Sequence, residues 1–516
     1  MKRYLAIIMT LAMLICFAAC KTSQNPPAAD PTQEAEAPTE QPTEEPTAEP
    51  TEEPVETEAP DPTPAWDANE GDDDELPEIY AGANVFFLVD HEGAVYGWGN
   101  NEYGQLPGHE GNAQRPVYIA SDLTPVLIGD TVFALTADNE LVGWGRNDRA
   151  QLGQGDTKPH EGFVKILDNV SEVICRAEEY YALTGDGELY TWSYSRITEL
   201  DDADIEAMMT PRKIREGLKK LTQNFIVTRD NELYVSYTIG EWSKWADDVS
   251  DVWSDGSCVA VSDPEGRLYS LRGNEKKLIC DTYTYGDGTV GRRFMNVVVS
   301  DGVIWALTVE GELLKYTAAE SERTAETVGI GELETVMNDV VDFRAASLMD
   351  EDWGYEYKFA LKANGELWSW SNYDGRILGR DDYETIRTPK CVLENVVYYT
   401  CTGAQTYAVT ADGSVWACGE ADDSGFIHGG LGTGNADPSY EFVKLDLKDI
   451  RFVKSSLDID YIDYEDDTDG VELYNRTFAV DSEGRIYAWG WNGDGLLGVG
   501  SGDKEVLSPT EIHLAK

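Results

Sequence analysis

Phe133-Ala134-Leu135-Thr136-Ala137-Asp138-Asn139-Glu140-Leu141-Val142-Gly143-Trp144-Gly145 is an apolar run, a polar tight turn and a second apolar run closing on an aromatic and a glycine. The phrase returns at Phe478-Ala479-Val480-Asp481-Ser482-Glu483-Gly484-Arg485-Ile486-Tyr487-Ala488-Trp489-Gly490, and its nine copies run along most of the chain. A unit this small cannot bury its own hydrophobic face, so copies must stack against copies. The chain is a repeat scaffold before it is anything else.

The turn of each copy centres on Gly93, Asn139, Gly187, Asn231, Gly266, Gly311, Gly365, Gly413 and Gly484. All are Gly or Asn, the residues that tolerate the positive φ of a turn between right-twisted strands. Two positions on, every copy is apolar; three on, most are aromatic; five on stand Trp98, Trp144, Trp192, Trp370 and Trp489, with Cys418 and Ser236 as the weak cases. Apolar residues at two, three and five fit a strand buried on both faces, and a small residue at four (Gly97, Gly143, Ser369, Ala488) lets a neighbouring sheet approach. The turns lie 46, 48, 44, 35, 45, 54, 48 and 71 residues apart. That is close to the roughly 50 residues of one four-stranded propeller blade. The expected fold is an all-β, closed antiparallel propeller, with the first strand pairing to strands of the last unit so that no edge is left open.

Some copies continue into a second signature: Trp98-Gly99-Asn100-Asn101-Glu102-Tyr103-Gly104-Gln105-Leu106, Trp144-Gly145-Arg146-Asn147-Asp148-Arg149-Ala150-Gln151-Leu152-Gly153, Trp370 to Gly379 and Trp489 to Gly498. With the turn phrase, these residues resemble the regulator of chromosome condensation repeat family. The resemblance covers residues 79 to 516, is strong at both ends and thin from about 190 to 360, and implies a β-propeller. Family members usually have seven blades, whereas nine turn-centred units are present here. Either the ring is larger than usual, or two weak central copies are hairpins inside other blades. The His that the family places three residues before the repeat core is absent from every copy.

Residues 1–19 read as a lipoprotein signal peptide: Lys2 and Arg3, an apolar stretch from Leu5 to Phe17, then Ala18-Ala19 before Cys20. Small residues directly before a cysteine make Cys20 the expected lipidation site and mature N-terminus. The lipidated Cys20 and a linker occupy 20–64, and the repeat domain 65–516. Residues 21–64 hold eleven of the chain's 21 prolines, twelve acids against Lys21, and no aromatic residue. Such a segment cannot bury enough apolar surface to fold, and at full extension it reaches on the order of 130 Å. The expected location is the extracellular face of a bacterial cell membrane, with contact to the membrane through the lipid alone.

The formal charge is −56; setting aside the signal segment's two positive charges and the linker's −11 leaves −47 on the repeat region. Phosphate binding needs Lys and Arg to neutralise the backbone, so nucleic acid is excluded as a partner. The family's chromatin binding and nucleotide exchange on a small GTPase are set aside with it, because an exported acidic chain meets neither. Six cysteines fall in the repeat region without a compact spacing framework, and isolated buried thiols fit them better than disulfides.

Catalytic signatures are missing from the sequence. His91, His109, His160, His428 and His513 are far apart and lack zinc-site spacing, and no Gly-x-Ser-x-Gly elbow, Walker loop or dinucleotide fingerprint occurs. The acidic stretch from Asp458 to Asp469 resembles part of a calcium loop, but the position that needs a bidentate Glu is Arg476. No metal or cofactor is expected. Aromatics outside the repeat's apolar positions, Trp242, Trp245, Tyr373 and Tyr461 foremost, are candidate contacts in connecting loops on the rim. A non-catalytic cell-surface scaffold for an extracellular protein or glycan is the favoured reading. An extracellular enzyme acting on cell-wall or other polysaccharide is one alternative. The family resemblance, which takes in secreted propellers that inhibit β-lactamases, implies the other, an enzyme-inhibitor-like propeller.

Overall fold

The structure, a computed structural model, describes residues 76–176, 178–194, 202–238, 241–318, 331–349, 354–372, 375–380, 386–420, 427–463 and 469–514. The signal segment, Cys20, the linker, Tyr373 and the Asp467 end of the acidic stretch lie outside them.

All nine turn-centred units are blades. The sheets span residues 78–121, 123–167, 170–215, 218–246, 251–280, 294–337, 340–393, 396–444 and 450–512, numbered here blades 1 to 9, and each is an antiparallel meander of four strands in chain order. The thin central region therefore holds full blades. A small hairpin, Thr282–Thr284 with Val290–Arg292, sits between blades 5 and 6, and one seven-residue helix, Asp202–Met208, interrupts blade 3.

The turn residues do what their composition requires. From Gly93 to Gly484 all nine have φ between 59° and 90°. A second series of positive φ stands at blade entries: Asp122, Asn169, Gly217, Asp248, Asp339, Asn395 and Asp449. The two series meet. The carbonyls of Asn139, Gly187, Gly311, Gly365 and Gly413 accept hydrogen bonds of 2.9–3.0 Å from the first amides of the next blade, Val170, Leu218, Val340, Val396 and Ile450. These hairpins are thereby latched to the next blade through main chain, and the approach is close: a Cβ on Gly413 would stand 2.7 Å from the Asp449 Cα. At Gly484 the residue standing opposite is Pro77, which has no N–H to give.

Hydrophobic clusters form between blades rather than within them. Phe133 and Leu141 of blade 2 pack with Tyr180 and Trp192 of blade 3; Val227 and Leu233 of blade 4 with Val252 and Val261 of blade 5; Trp305 of blade 6 with Phe343 and Trp370 of blade 7. Second strands such as Val85–Val89 and Glu179–Thr184 are buried on both faces, and fourth strands such as Arg212–Arg215 and Lys390–Leu393 are the most exposed. First strands of successive blades lie against each other, Asp251–Ser254 on Phe294–Ser300 and that strand on Val340–Met349, which places them around the axis. The small residue that often stands four after the turn has a different use from the one expected. At Gly97 and Gly143 the space is filled by the blade's own loop and second strand: Leu106 and Phe87, and Leu152 and Phe133.

The ring closes between blades 9 and 1, but not by strand pairing. Glu78–Ala81 pairs within blade 1 with Val85–Val89, and Glu505–Ile512 pairs within blade 9 with Ile486–Trp491. Closure is by side chains. Phe86 and Trp98 pack on Phe478 at centroid distances of 5.3 and 6.1 Å, the Trp98 indole donates to the Leu496 carbonyl (2.9 Å), and Lys454 Nζ donates to the Ile79 carbonyl (2.5 Å). Each blade already holds four strands, so none is left for its neighbour to complete.

Candidate binding face

Meander topology gives the propeller two unlike faces. Hairpins between second and third strands, and the short steps into the next blade (168–169, 338–339, 394–395), share one face. Every third-to-fourth-strand loop is on the other, among them 100–112, 146–163, 492–504 and the stretches around 380 and 430. The repeat's second signature builds these long loops. Asn101, Asn147 and Asn492 each accept the amide of the leucine five residues on (2.7, 2.9 and 3.1 Å) and donate across the loop base, to His109, Lys158 and Asp503 carbonyls at 2.7–2.8 Å.

The Trp of one blade then caps the loop of the blade before it. Trp144 donates to the Gln105 carbonyl (2.8 Å), Trp192 to that of Gln151 (2.7 Å), and Trp98 closes the series on Leu496. Gly153, Gly432 and Gly498 lie beneath the indoles of Trp192, Trp489 and Trp98, and a Cβ at Gly498 would stand 3.1 Å from Trp98 Nε1. Cys418, a weak case in sequence, makes the same bond with a thiol: its Sγ donates to the Ile377 carbonyl at 3.2 Å.

Blade 9 carries the most developed feature of this face. Its first two strands, Ile450–Asp463 and Asp469–Asp481, are long, and Ile427–His428 from the blade 8 loop joins them in parallel, His428 opposite Tyr474. His428, Tyr474 and Trp491 form a three-ring cluster with centroids 4.8–5.0 Å apart. Glu472 and Glu505 flank the imidazole at 3.6 and 3.4 Å. Next to the rings a cleft of about 680 Å³ opens at the seam with blade 1, lined by Asn84, Gln114, Tyr474, Arg476, Trp491 and Lys504 among others. Arg476, 3% exposed, pairs with Asp458 on its wall. At blades 1 and 2, Arg146 lies over the exposed Tyr103 ring (4.9 Å), and its bonds to Asp148 hold that carboxyl down at about 2.

The candidate aromatics named from sequence are not gathered in one place. Trp242 and Trp245 lie in Glu241–Ala246, the fourth strand of blade 4, rather than in a connecting loop. Trp242 packs against Tyr181, Leu189 and Ile226; Trp245 stacks on Phe225 (5.9 Å) and donates to the Gly273 carbonyl of blade 5 at 2.6 Å. Positions three apart on a strand face opposite ways, so Trp242 turns toward blade 3 and Trp245 toward blade 5. Tyr461 is in the long first strand of blade 9, and Tyr373 falls outside the described residues. Sequence reading passed over His428 as one of five scattered histidines. Its signal was the insertion that carries it, between Gly419 and Gly430-Leu431-Gly432.

A second cleft, about 890 Å³, lies on the short-turn face across blades 7 to 9, where Arg344 pairs with Asp342 (3.0 Å) and lies over Tyr399 (4.9 Å). Asp248, Asp263 and Glu265 bring carboxylate oxygens within 4.8 Å of one another, but Arg267 already bonds Asp263 (2.7 Å) and Glu265 (2.9 Å).

All six cysteines of the described residues are unpaired. Burial pushes the thiols of Cys258 and Cys401 up to about 12 and that of Cys280 to about 11. Each lies above the 9.0 of an unburied thiol, so its stabilising share is whole below pH 9 and is lost as pH rises toward 11–12. The expected result is that Cys280 and Cys401 resist iodoacetamide at about pH 8 until the chain is unfolded. Labelling of the native protein at the rate of a free thiol contradicts their placement.

Among known families, residues 483–516 match the regulator of chromosome condensation (RCC1) repeat. The chain is 23% identical over 370 residues to the E3 ubiquitin-protein ligase HERC2 of Homo sapiens, covering 67% of this chain and 7% of the ligase. It is 28% identical over 156 residues to the ultraviolet-B receptor UVR8 of Arabidopsis thaliana, covering 28% of this chain and 35% of the receptor. The chain thus spans well under two thirds of either relative. A solved structure, Kap60 bound to yeast RCC1 (Prp20), aligns with 85% of each chain at 15% identity and a TM-score of 0.39. The last unit of this nine-bladed propeller is thus similar to the regulator of chromosome condensation repeat, and longer stretches of the chain are similar to these two relatives.

Proposed function

We propose that the chain is a non-catalytic binding scaffold, held at the extracellular face of a bacterial membrane by a lipid on Cys20, that presents the long-loop face of its propeller to an extracellular protein or glycan. The observation that carries this reading is the asymmetry of the ring: the repeat spends its Asn, Gln and Gly on holding long loops to one face, where the aromatic cleft opens. Trp242 and Trp245 on the outer flank of blade 4, with Tyr373 and Tyr461, are the further proposed contacts. The charge of −47 on the repeat region argues against nucleic acid, and the export signature against a small GTPase. The small residues before Cys20 support the anchor, which alone joins the chain to the membrane.

Two measurements test the proposal. A radiolabelled fatty acid fed to expressing bacteria marks the wild-type chain and leaves Cys20→Ser unmarked, because the glyceride is carried on the thiol; equal labelling of both overturns the anchor. The full chain, used as bait against surface proteins and wall polysaccharides, retains a partner that is lost when the long-loop face is altered. Retention unaffected by changes to that face overturns the assignment of the surface.

A further inference from the structure

We infer that the cleft at the seam of blades 9 and 1 is a subsite for a neutral glycan, with Trp491 and Tyr474 as its stacking platform. The inference rests on the scaffold reading above and names the ligand class and the residues that hold it.

The platform is fixed before any ligand arrives. Tyr474 and Trp491 sit on neighbouring strands with ring centroids 4.9 Å apart, and His428 is wedged against both. His428 is itself held by parallel pairing of Ile427–His428 with Leu473–Tyr474 and by the flanking carboxylates of Glu472 and Glu505. The Tyr474 hydroxyl bonds Glu472, which sets its ring plane. Rings that need no ordering on binding lose little entropy when a ligand settles on them. A pyranose presents a face of C–H groups that lies flat on such rings and an edge of hydroxyls that both donate and accept. Around the platform stand groups suited to that edge: the amides of Asn84 and Gln114, which each donate and accept, and the Arg476–Asp458 pair.

Charge selects a neutral sugar. Among the described residues Arg476 is the one guanidinium on the wall, and Asp458 already balances it, leaving Lys504 against a repeat region of −47. An anionic glycan or a phosphate would approach that field with little to offset it. Shape argues against a protein patch. The cleft is a concavity of about 680 Å³, in the range of sites for small ligands, and the exposed large hydrophobic residues, such as Tyr118, Leu278, Val290 and Leu333, are not part of its lining. A protein interface core needs such residues gathered at its centre.

The test is calorimetric titration of the full chain with neutral oligosaccharides of glucose, mannose, galactose and N-acetylglucosamine, beside anionic uronic-acid oligomers. At least one neutral series binds and the uronic acids do not. Trp491→Ala weakens that binding about tenfold or more. Trp491→Phe, which keeps a ring, retains most of it, and Leu278→Ala, an exposed residue of blade 5 outside the cleft, leaves it unchanged. Thermal melting of each variant separates lost binding from lost fold. Failure of every neutral series to bind, a preference for the uronic acids, or equal affinity of wild type and Trp491→Ala overturns the inference. If no sugar binds but a surface protein is retained and then lost with Trp491→Phe, the scaffold reading stands and the glycan is wrong; if neither is retained, both fall.

Discussion

Trp144→Ala and Trp489→Ala each lower the stability of the propeller by about 3–5 kcal/mol, measured as a shift in denaturant midpoint at unchanged slope. Trp144 is 1% exposed, lies edge-on to Phe87 and Phe163, and donates to the Gln105 carbonyl of blade 1. Trp489 is fully buried, meets Tyr407 of blade 8 by ring contact and by a 3.1 Å hydrogen bond, and has Gly432 beneath it. Truncation leaves a cavity between two blades and an acceptor without its donor, and both costs fall on the inter-blade contacts that make up the core. Because the blades are rigid four-stranded sheets, neighbours cannot collapse into the space. A loss below about 1 kcal/mol would show that the interfaces repack freely and that the ring is held by something else.

Lys358→Met destabilises the chain by a comparable amount, about 3–5 kcal/mol. Lys358 and Glu356 are 7% and 6% exposed at the side chain and pair with each other on the second strand of blade 7. One Glu356 oxygen has no hydrogen-bond partner. Removing the ammonium leaves a buried carboxylate with no counter-charge, which costs more than the pair was worth. The double variant Glu356→Leu/Lys358→Met recovers most of the loss, since apolar residues need no compensation there. Thermal melting of the three forms checks both halves, and a double variant no better than the single one contradicts the assignment of the cost to an orphaned charge.

Much of the ring is legible in the sequence because its turns have a steric requirement. A hairpin turn that must hold positive φ favours Gly and Asn, and nine such positions in phase count nine blades. The Asn and Leu of the loop signature are equally plain, since one side chain both accepts the leucine amide and donates across the loop. What stayed hidden has physical reasons as well. The positive-φ residues at blade entry are mostly Asp, and in a chain with 96 acids one more Asp carries no signal. Cys418 takes the place of Trp because all that its neighbour's loop requires there is a donor, a property that an aromatic pattern does not reveal. Trp242 and Trp245 fell outside the apolar register of the hairpins, which made them look like loop residues; the fourth strand has its own alternation and no turn to mark it. The closing seam was misjudged for a related reason. Pairing rules say an edge should be covered, but nothing in them tells that Phe86, Trp98 and Phe478 would close it by packing.

The site was less legible than the fold. Tyr474, Trp491 and His428 are 17 and 46 residues apart in sequence. They meet because an insertion from blade 8 reaches over to the long hairpin of blade 9. The central claim is that this face binds without turning its ligand over. The most direct test incubates the full chain at stoichiometric concentration with the partner it retains, then compares the partner's mass before binding and after release by denaturant. The account predicts a ligand depleted from solution and returned intact. A shortened glycan, a cut peptide or any other change of mass would contradict it.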